Sequence, residues 1–161
     1  MQVLKTPFMP NASLTQPPSA SRPAVAPAAP APSAEKRLKI LVTDDDPIQR
    51  AFATAYLEKT AGEVHTCENG QEAVRKLAAE PFDCALLDID MPHMNGFETL
   101  EALRSNPALK RLPIIMVTSR EDVASIDRAY RLGASSFTTK PVNWTLLSYQ
   151  IRYVVREAAG R

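Results

Sequence analysis

Five polar side chains in this sequence stand at the ends of short apolar runs, and together they could carry out phosphoryl chemistry. Three are carboxylates, and the others are a hydroxyl and an ammonium group: Asp44, Asp45, Asp88, Thr118 and Lys140. Three carboxylates brought to one place would repel one another strongly unless a cation lay among them. An all-oxygen ligand set of this kind suits Mg²⁺, which also accepts phosphate oxygens. A carboxylate held beside Mg²⁺ can attack a phosphoryl donor and form an acyl phosphate.

The hydroxyl and the ammonium group fit the same reaction. The metal and Lys140 would neutralise charge on the phosphoryl oxygens, and the Thr118 hydroxyl can donate to one of them. Acidic and amide side chains that precede helices often act only as N-caps, and this simpler interpretation stands for Asp46 and Asn143.

The site forms only if the runs that precede these side chains are neighbouring parallel strands. Apolar runs at residues 40–42, 64–67, 84–87, 114–117 and 136–139 alternate with amphipathic stretches. This alternation predicts five strands and five helices in an α/β fold, with a doubly wound parallel sheet covered by helices on both faces. Strand order 2-1-3-4-5 is common at this size, and it places ligands beyond the carboxyl ends of strands 1 and 3.

Local signals predict where the first helix begins and where the fourth helix begins and ends. The first helix should start at Pro47 and carry four residues on one side: Ile48, Phe52, Ala55 and Tyr56. Ser119 with Asp122 fits a capping box at the start of the fourth helix, and Gly133 suits the end of that helix.

The last helix, which we expect Asn143 to cap and which should run to about Glu157, has two apolar sides. At about 100° per residue, one side should pack on the sheet: Trp144, Leu147, Ile151, Val154 and Val155. The opposite side carries a second apolar stripe, which consists of Leu146, Tyr149 and Tyr153. We interpret this stripe, with strand 5 and the helix around residues 126–130, as a dimer or partner surface. Incidental exposure of these side chains is the alternative.

Four strings at the strand ends resemble the response-regulator receiver family of two-component and phosphorelay signalling. They are ILVTDDDP at 40–47, LDIDMP at 87–92, VTS at 117–119 and FTTKP at 137–141. The resemblance covers about residues 37–157 and implies a flavodoxin-like (βα)5 fold. It also implies Mg²⁺ as cofactor, a sensor histidine kinase or histidine phosphotransfer protein as phosphoryl donor, and a conformational switch that signals to an output protein or a second copy.

The resemblance assigns a role to each residue of the site. Asp88 matches the residue that accepts the phosphoryl group, and Thr118 and Lys140 match the residues that contact the phosphoryl oxygens. Phe137 matches the aromatic side chain that turns during the switch, after Thr118 has moved. The implied metal ligands are Asp88, Asp45 directly, Asp44 through water, and the backbone carbonyl of Asp90.

Three further features lie beside the residues of the predicted site. The Lys140–Pro141 bond is implied to be cis, which an X-Pro bond tolerates. Thr43 stands where the family usually has an apolar residue. Asp90 and Arg120 flank the approach of water to an aspartyl phosphate, and their opposite charges could pair and obstruct it.

The first 35 residues differ in composition from the rest of the chain. They contain eight prolines among alanines and serines: Pro7, Pro10, Pro17, Pro18, Pro23, Pro27, Pro30 and Pro32. Proline this dense blocks helices and central strands, so we predict a disordered leader at residues 1–35 and a receiver domain at residues 36–161.

Charge and hydropathy argue against several classes of protein. Beyond residue 35 the chain carries 17 basic and 17 acidic residues, which provides no positive face for nucleic acid. No apolar stretch approaches the roughly 20 residues of a membrane span. Cys67 and Cys84 lack metal-type spacing and indicate packed thiols in a reducing cytosol, so we expect a cytoplasmic protein.

Two alternatives remain, of which the first is an enzyme and the second concerns the output. Asp88 and Asp90 with a later Thr and Lys also resemble a haloacid-dehalogenase-type phosphatase, but those enzymes carry their remaining acid pair after the Lys. We therefore expect no enzyme activity beyond self-phosphorylation and self-dephosphorylation.

Only residues 158–161 follow the last helix, so we expect no DNA-binding or catalytic output domain in this chain. Residues 141–147 with Arg152 and Tyr153 resemble receivers ahead of diguanylate cyclase domains, so a receiver cut from such a regulator remains an alternative to a stand-alone module.

Overall fold

The computed structural model describes residues 36–160, and five strands alternate with five α-helices in this part of the chain. The strands are β1 (Leu38–Thr43), β2 (Gly62–Cys67), β3 (Cys84–Asp88), β4 (Ile114–Thr118) and β5 (Ser136–Thr139). The helices are α1 (Pro47–Thr60), α2 (Gly70–Ala79), α3 (Gly96–Ser105), α4 (Val123–Arg131) and α5 (Trp144–Ala159), with a 3₁₀ turn at Pro107–Leu109. The predicted disordered leader lies outside the described residues.

The five strands form one parallel sheet in the order β2-β1-β3-β4-β5, which confirms the predicted fold class and strand order. Every residue of β3 and β4 is buried, because helices cover both faces of the sheet. One half of the core lies under α2, α3 and α4, and the other half lies under α1 and α5. The carboxyl ends of β1, β3, β4 and β5 therefore meet along one edge.

Side-chain caps fix the start of every α-helix in the described residues, and this determines how each strand leads into its helix. The caps are Asp46, Asn69, Asn95, Asp122 and Asn143, each accepting a hydrogen bond from a backbone N–H of the first turn. Pro47 occupies the first turn of α1, and Gly133, at φ 94°, follows the end of α4, as predicted. The Lys140–Pro141 bond is cis.

The predicted capping box at Ser119 is wrong. The helix begins four residues later, at Val123, because the Asp122 side chain accepts from the backbone N–H of Ser125 at 2.8 Å. The backbone N–H of Arg120 instead donates to the Thr118 hydroxyl at 3.2 Å, so the chain just after β4 turns back toward the strand end.

The four residues predicted on one side of α1 do not form its inner face, and of the four only Tyr56 packs against the core. Ile48 and Phe52 are 61% and 60% exposed, whereas the buried residues of α1 are Ala53 and Leu57. Arg50 lies on the same side as these two residues at helical spacing, and its side chain is only 14% exposed. The apolar pattern indicated the wrong side because the inner face of α1 begins with a charged residue, Arg50, which donates to the backbone carbonyls of Asp44 and Asp45 and to the carboxylate of Glu68.

The two apolar sides of α5 are confirmed. Leu147, Ile151 and Val154 are buried against the sheet, with Trp144 and Val155 half-buried beside them. Cys67 and Cys84 are packed as free, buried thiols. No helix between residues 36 and 160 is both long enough and apolar enough to cross a bilayer.

Candidate functional site

The structure brings the predicted acidic residues together at the carboxyl edge of the sheet. Asp44 and Asp45 directly follow β1, and Asp88 is the last residue of β3, the strand paired with β1. One carboxylate oxygen from each of these three residues lies within 4.8 Å of the others. The parallel topology alone accounts for this, because neighbouring parallel strands end at the same edge.

Lys140, which directly follows β5, supplies the positive charge at this cluster. Its Nζ lies 2.7 Å from Asp44 Oδ2 and 3.5 Å from Asp88 Oδ1. Burial lowers the pKa of Lys140, but the hydrogen bond to Asp44 and the charges of Asp88 and Asp44 outweigh burial and raise that pKa above its usual value. Lys140 therefore stays protonated and bridges two carboxylates that would otherwise repel each other.

The pKa of the Asp88 carboxylate is shifted by its surroundings. Burial is the main cause, and with the charges of Asp44 and Asp90 it outweighs the attraction of Lys140, so that the pKa of Asp88 is raised to about 6. The side chain is 5% exposed. At neutral pH Asp88 is therefore ionised although burial disfavours its charge, and an additional cation would stabilise that charge.

The ligand set fits a hard divalent cation. All the converging side-chain donors are carboxylate oxygens, and three negative charges face the single ammonium of Lys140. Asp44 is held on its other oxygen by the backbone N–H of Asp46 at 2.9 Å. Asp45 is exposed, and no hydrogen-bond donor within residues 36–160 occupies its carboxylate. Asp44, Asp45 and Asp88 are thus the residues that could hold Mg²⁺.

The loop after β3 is packed closely against the site. A Cβ atom added at Gly96 would lie 2.3 Å from the carbonyl oxygen of Asp88, so only glycine allows α3 to begin this near to the strand end. The N–H of Gly96 donates to the carbonyl of Ile89 at 2.9 Å, which closes the loop.

The side chain of Asp90 pairs with Arg120, and among the described residues the clustered acids are Asp44, Asp45 and Asp88. Arg120 binds it with two nitrogens: Nη2 lies 2.6 Å and Nε lies 2.9 Å from Asp90 Oδ1. The pair suggested by the sequence is therefore formed, and it joins the loop after β3 to the loop after β4. Its side chains are about half exposed.

Thr118 and Phe137 lie on the same face of the sheet. Thr118 is fully buried, and its carbonyl accepts from the backbone N–H of Lys140 at 2.8 Å. The register pairs Met116 with Phe137 and Thr118 with Thr139, so Thr118 and Phe137 are diagonal neighbours on the same face. Phe137 is half-buried against the core beneath α3 and α4.

The predicted partner residues lie on the surface of α5 and contribute nothing to the acidic cluster. Leu146, Tyr149 and Tyr153 are 62%, 69% and 55% exposed. On α4, Val123 and Tyr130 are 80% and 50% exposed.

Sequence reasoning missed Arg50. The guanidinium of this residue contacts the backbone of Asp44 and Asp45, the two acids that follow β1. The signal that could have revealed it is its helical spacing to Ala53 and Leu57, which puts a charged residue on the buried face of α1.

Comparisons with known proteins agree on one family. The family model described as "Response regulator receiver domain" matches residues 40–152. Protein PilH of Pseudomonas aeruginosa is 34% identical over 117 residues, which are 73% of this chain and 97% of PilH. A gliding motility regulatory protein of Myxococcus xanthus is 34% identical over 66% of this chain, but the chain spans only 14% of that relative's length. The solved structure of chemotaxis protein CheY4 of Vibrio cholerae superposes with a TM-score of 0.70 at 30% identity, over 74% of this chain and 99% of that one.

The raised pKa of Asp88 predicts how stability depends on pH in the metal-free protein. The folded-state pKa of about 6 exceeds the ordinary value of 3.8, so folding binds a proton between these values and stability from this group is lost as pH rises through 6. Asp88→Asn should therefore increase the free energy of unfolding at pH 7 by about 1–3 kcal/mol. This gain should vanish near pH 4.

Urea unfolding in EDTA at pH 7, 5.5 and 4 measures this effect. Asp83→Asn is a matched control of opposite sign: burial raises the pKa of Asp83, but hydrogen bonds from Lys36 and the backbone of Lys39, together with the charge of Lys36, lower it below its usual value. That variant should lose stability at pH 7. A loss of stability at pH 7 in Asp88→Asn would contradict the electrostatic account of the site.

Proposed function

This chain belongs to the response regulator receiver family of two-component signalling, and we propose that Asp88 accepts a phosphoryl group in a Mg²⁺-dependent reaction. The proposed donor is the phosphohistidine of a histidine kinase or of a histidine phosphotransfer protein. The observation that carries the proposal is the convergence of three carboxylates on one ammonium group at the edge of the sheet.

The geometry supports the following reaction. An ionised oxygen of Asp88 attacks phosphorus, a P–O bond forms, the P–N bond to the donor histidine breaks, and the bonding electron pair leaves with the histidine nitrogen. Lys140, 3.5 Å from Asp88, is within reach of the transferred oxygens, and the buried Thr118 hydroxyl is a donor for another of them. Mg²⁺ held by Asp44, Asp45 and Asp88 would supply neutralisation of the phosphoryl charge. The protein acts only on itself, so we propose that it is not an enzyme with an external substrate.

We propose that the Asp90–Arg120 pair prolongs the phosphorylated state. Hydrolysis requires water in line with the new bond, and the paired side chains connect the two loops that border Asp88 and Thr118. An exposed ion pair contributes only about 0–1 kcal/mol, so its influence on the rate is modest.

We propose that phosphorylation signals through Thr118 and Phe137 to the surface formed by α4, β5 and α5. Thr118 moves to the phosphoryl group, and Phe137 turns into the space that Thr118 vacates, so the modification shifts a two-state equilibrium. The support is the shared face of these two side chains and the exposed apolar stripe of Leu146, Tyr149 and Tyr153. β5 is also an edge strand of the sheet. The occupant is an output protein or a second copy of the chain.

The setting proposed for this reaction is the cytoplasm, because both cysteines are free thiols. The chain covers nearly all of PilH but a small part of the Myxococcus relative, so a stand-alone receiver and the receiver portion of a longer regulator, including one with a diguanylate cyclase, both remain candidates. Receiver family membership leaves the haloacid-dehalogenase alternative without support.

Incubation with acetyl phosphate tests the acceptor. The intact protein should gain one phosphoryl group, mapped to Asp88 by mass spectrometry, and only when Mg²⁺ is present. Asp88→Asn keeps the shape of the side chain but removes the nucleophilic charge, so labelling should vanish. Asp83→Asn, at the opposite end of β3, is the matched control and should label normally. Base-labile phosphate that persists in Asp88→Asn would contradict the proposal.

Decay of the phosphorylated protein tests the Asp90–Arg120 pair. Arg120→Ala should shorten the lifetime of the aspartyl phosphate by several-fold at most, since about 0–1 kcal/mol is available. Arg128→Ala, which removes an exposed arginine of α4, is the control and should leave the lifetime unchanged. An equal or longer lifetime in Arg120→Ala would show that the pair does not restrict water.

Sedimentation with and without acetyl phosphate tests the α4–β5–α5 surface. The double variant Tyr149→Ser, Tyr153→Ser should still be labelled on Asp88 but should lose phosphorylation-dependent self-association or binding to its output protein. Phe52→Ser changes an aromatic residue of similar exposure on α1 and serves as the control. If the double variant associates as the wild type does, the output surface lies elsewhere.

A further inference from the structure

Arg50 makes three hydrogen bonds from a largely buried position at the start of α1. Its Nη1 donates to the carbonyl oxygens of Asp44 at 2.8 Å and Asp45 at 3.2 Å. Its Nη2 donates to Glu68 Oε1 at 3.0 Å. The guanidinium therefore joins the loop after β1 to the loop after β2, and it binds the backbone of both acids that follow β1.

The three clustered acids are fixed in different ways. Asp88 is part of β3, and Asp44 is held by Lys140 and by the N–H of Asp46. The carboxylate of Asp45 has no hydrogen-bond donor within residues 36–160, and its carbonyl accepts from Arg50. The direction in which Asp45 presents its carboxylate thus depends on how Arg50 orients the Asp44–Asp45 segment of the backbone.

We infer that Arg50 is a positioning residue for the cation site, and that it acts by orienting Asp45 rather than through its charge. This inference rests on the proposed function, because it assumes that Asp45 helps to hold Mg²⁺. Removal of a group that hydrogen-bonds to a metal-binding residue and orients it typically weakens metal affinity about 10–100-fold. A guanidinium can reach three acceptors on two loops at once, whereas an ammonium group cannot reproduce that planar fork.

The positioning account and a charge account predict opposite results. If only charge mattered, Arg50→Gln would bind Mg²⁺ more tightly, since a positive group near a cation site would be gone, and Arg50→Lys would bind as the wild type does. If Arg50 positions Asp45, both variants should bind Mg²⁺ more weakly, by about tenfold or more. The conservative Lys variant is therefore the decisive one.

Titration of the full chain with MgCl₂, followed by calorimetry, measures this affinity without any phosphoryl donor. Emission of Trp144 provides a second readout, because this single tryptophan lines the small cavity beside Asp44, Asp88 and Lys140. Arg75→Gln removes the same charge from an exposed position on α2, and it should leave Mg²⁺ affinity unchanged.

Equal or tighter binding by both Arg50 variants would overturn the inference while leaving the proposed function intact. A wild-type protein that binds no Mg²⁺ would contradict the proposed function and this inference together. Circular dichroism checks that the variants are folded, and if Arg50→Gln unfolds, Arg50→Lys alone decides. At saturating Mg²⁺, acetyl phosphate should label Arg50→Lys as it labels the wild type. Only the orientation of Asp45 has changed in this variant, and excess Mg²⁺ compensates for the weaker binding.

Discussion

Electrostatic repulsion among three carboxylates is the constraint on which this structure depends. The parallel sheet brings Asp44, Asp45 and Asp88 to one edge, where one oxygen of each lies within 4.8 Å of the others. Lys140 offsets part of the negative charge, and burial still raises the pKa of Asp88 to about 6. The fold thus keeps the Asp88 carboxylate in an environment that a bound divalent cation would relieve. Burying these charges lowers the free energy of unfolding. The apolar core on the two faces of the sheet offsets that cost.

The elements around the cluster hold these charges in place and connect them to the surface. Gly96 allows α3 to begin against the carbonyl of Asp88, and the loop after β4 is tied to Asp90 by Arg120. Thr118 and Phe137 share a face of adjacent strands, so a change at the end of β4 has a short route to β5 and α5. The same strand ends that carry the acidic cluster therefore also begin the route that we propose to the exposed surface of α5.

The strands, their order in the sheet and the polar residues at their ends could be predicted from the sequence, because the local apolar patterns and the rules for parallel sheets lead to the same fold. Runs such as 84–87 and 114–117 are apolar throughout, as strands buried on both faces must be, and a polar residue marks the end of each. The face of α1 and the start of α4 could not be predicted by the same rules. In α1 the inner face includes Arg50, a charged residue that a search for apolar positions passes over, although its helical spacing to Ala53 and Leu57 places it there. In α4, Ser119 precedes a loop that the Arg120–Asp90 pair and the Thr118 hydroxyl hold outside the helix.

The dependence of thermal stability on Mg²⁺ shows whether Asp44, Asp45 and Asp88 form a cation site. A cation that binds the folded state stabilises it in proportion to the logarithm of its concentration once the site is saturated. We expect the Tm of the wild-type protein to rise with MgCl₂ at constant ionic strength, and we expect Asp45→Asn to remove most of this rise. A wild-type Tm that does not respond to Mg²⁺, or an equal rise in Asp45→Asn, would contradict the claim that these carboxylates form a cation site.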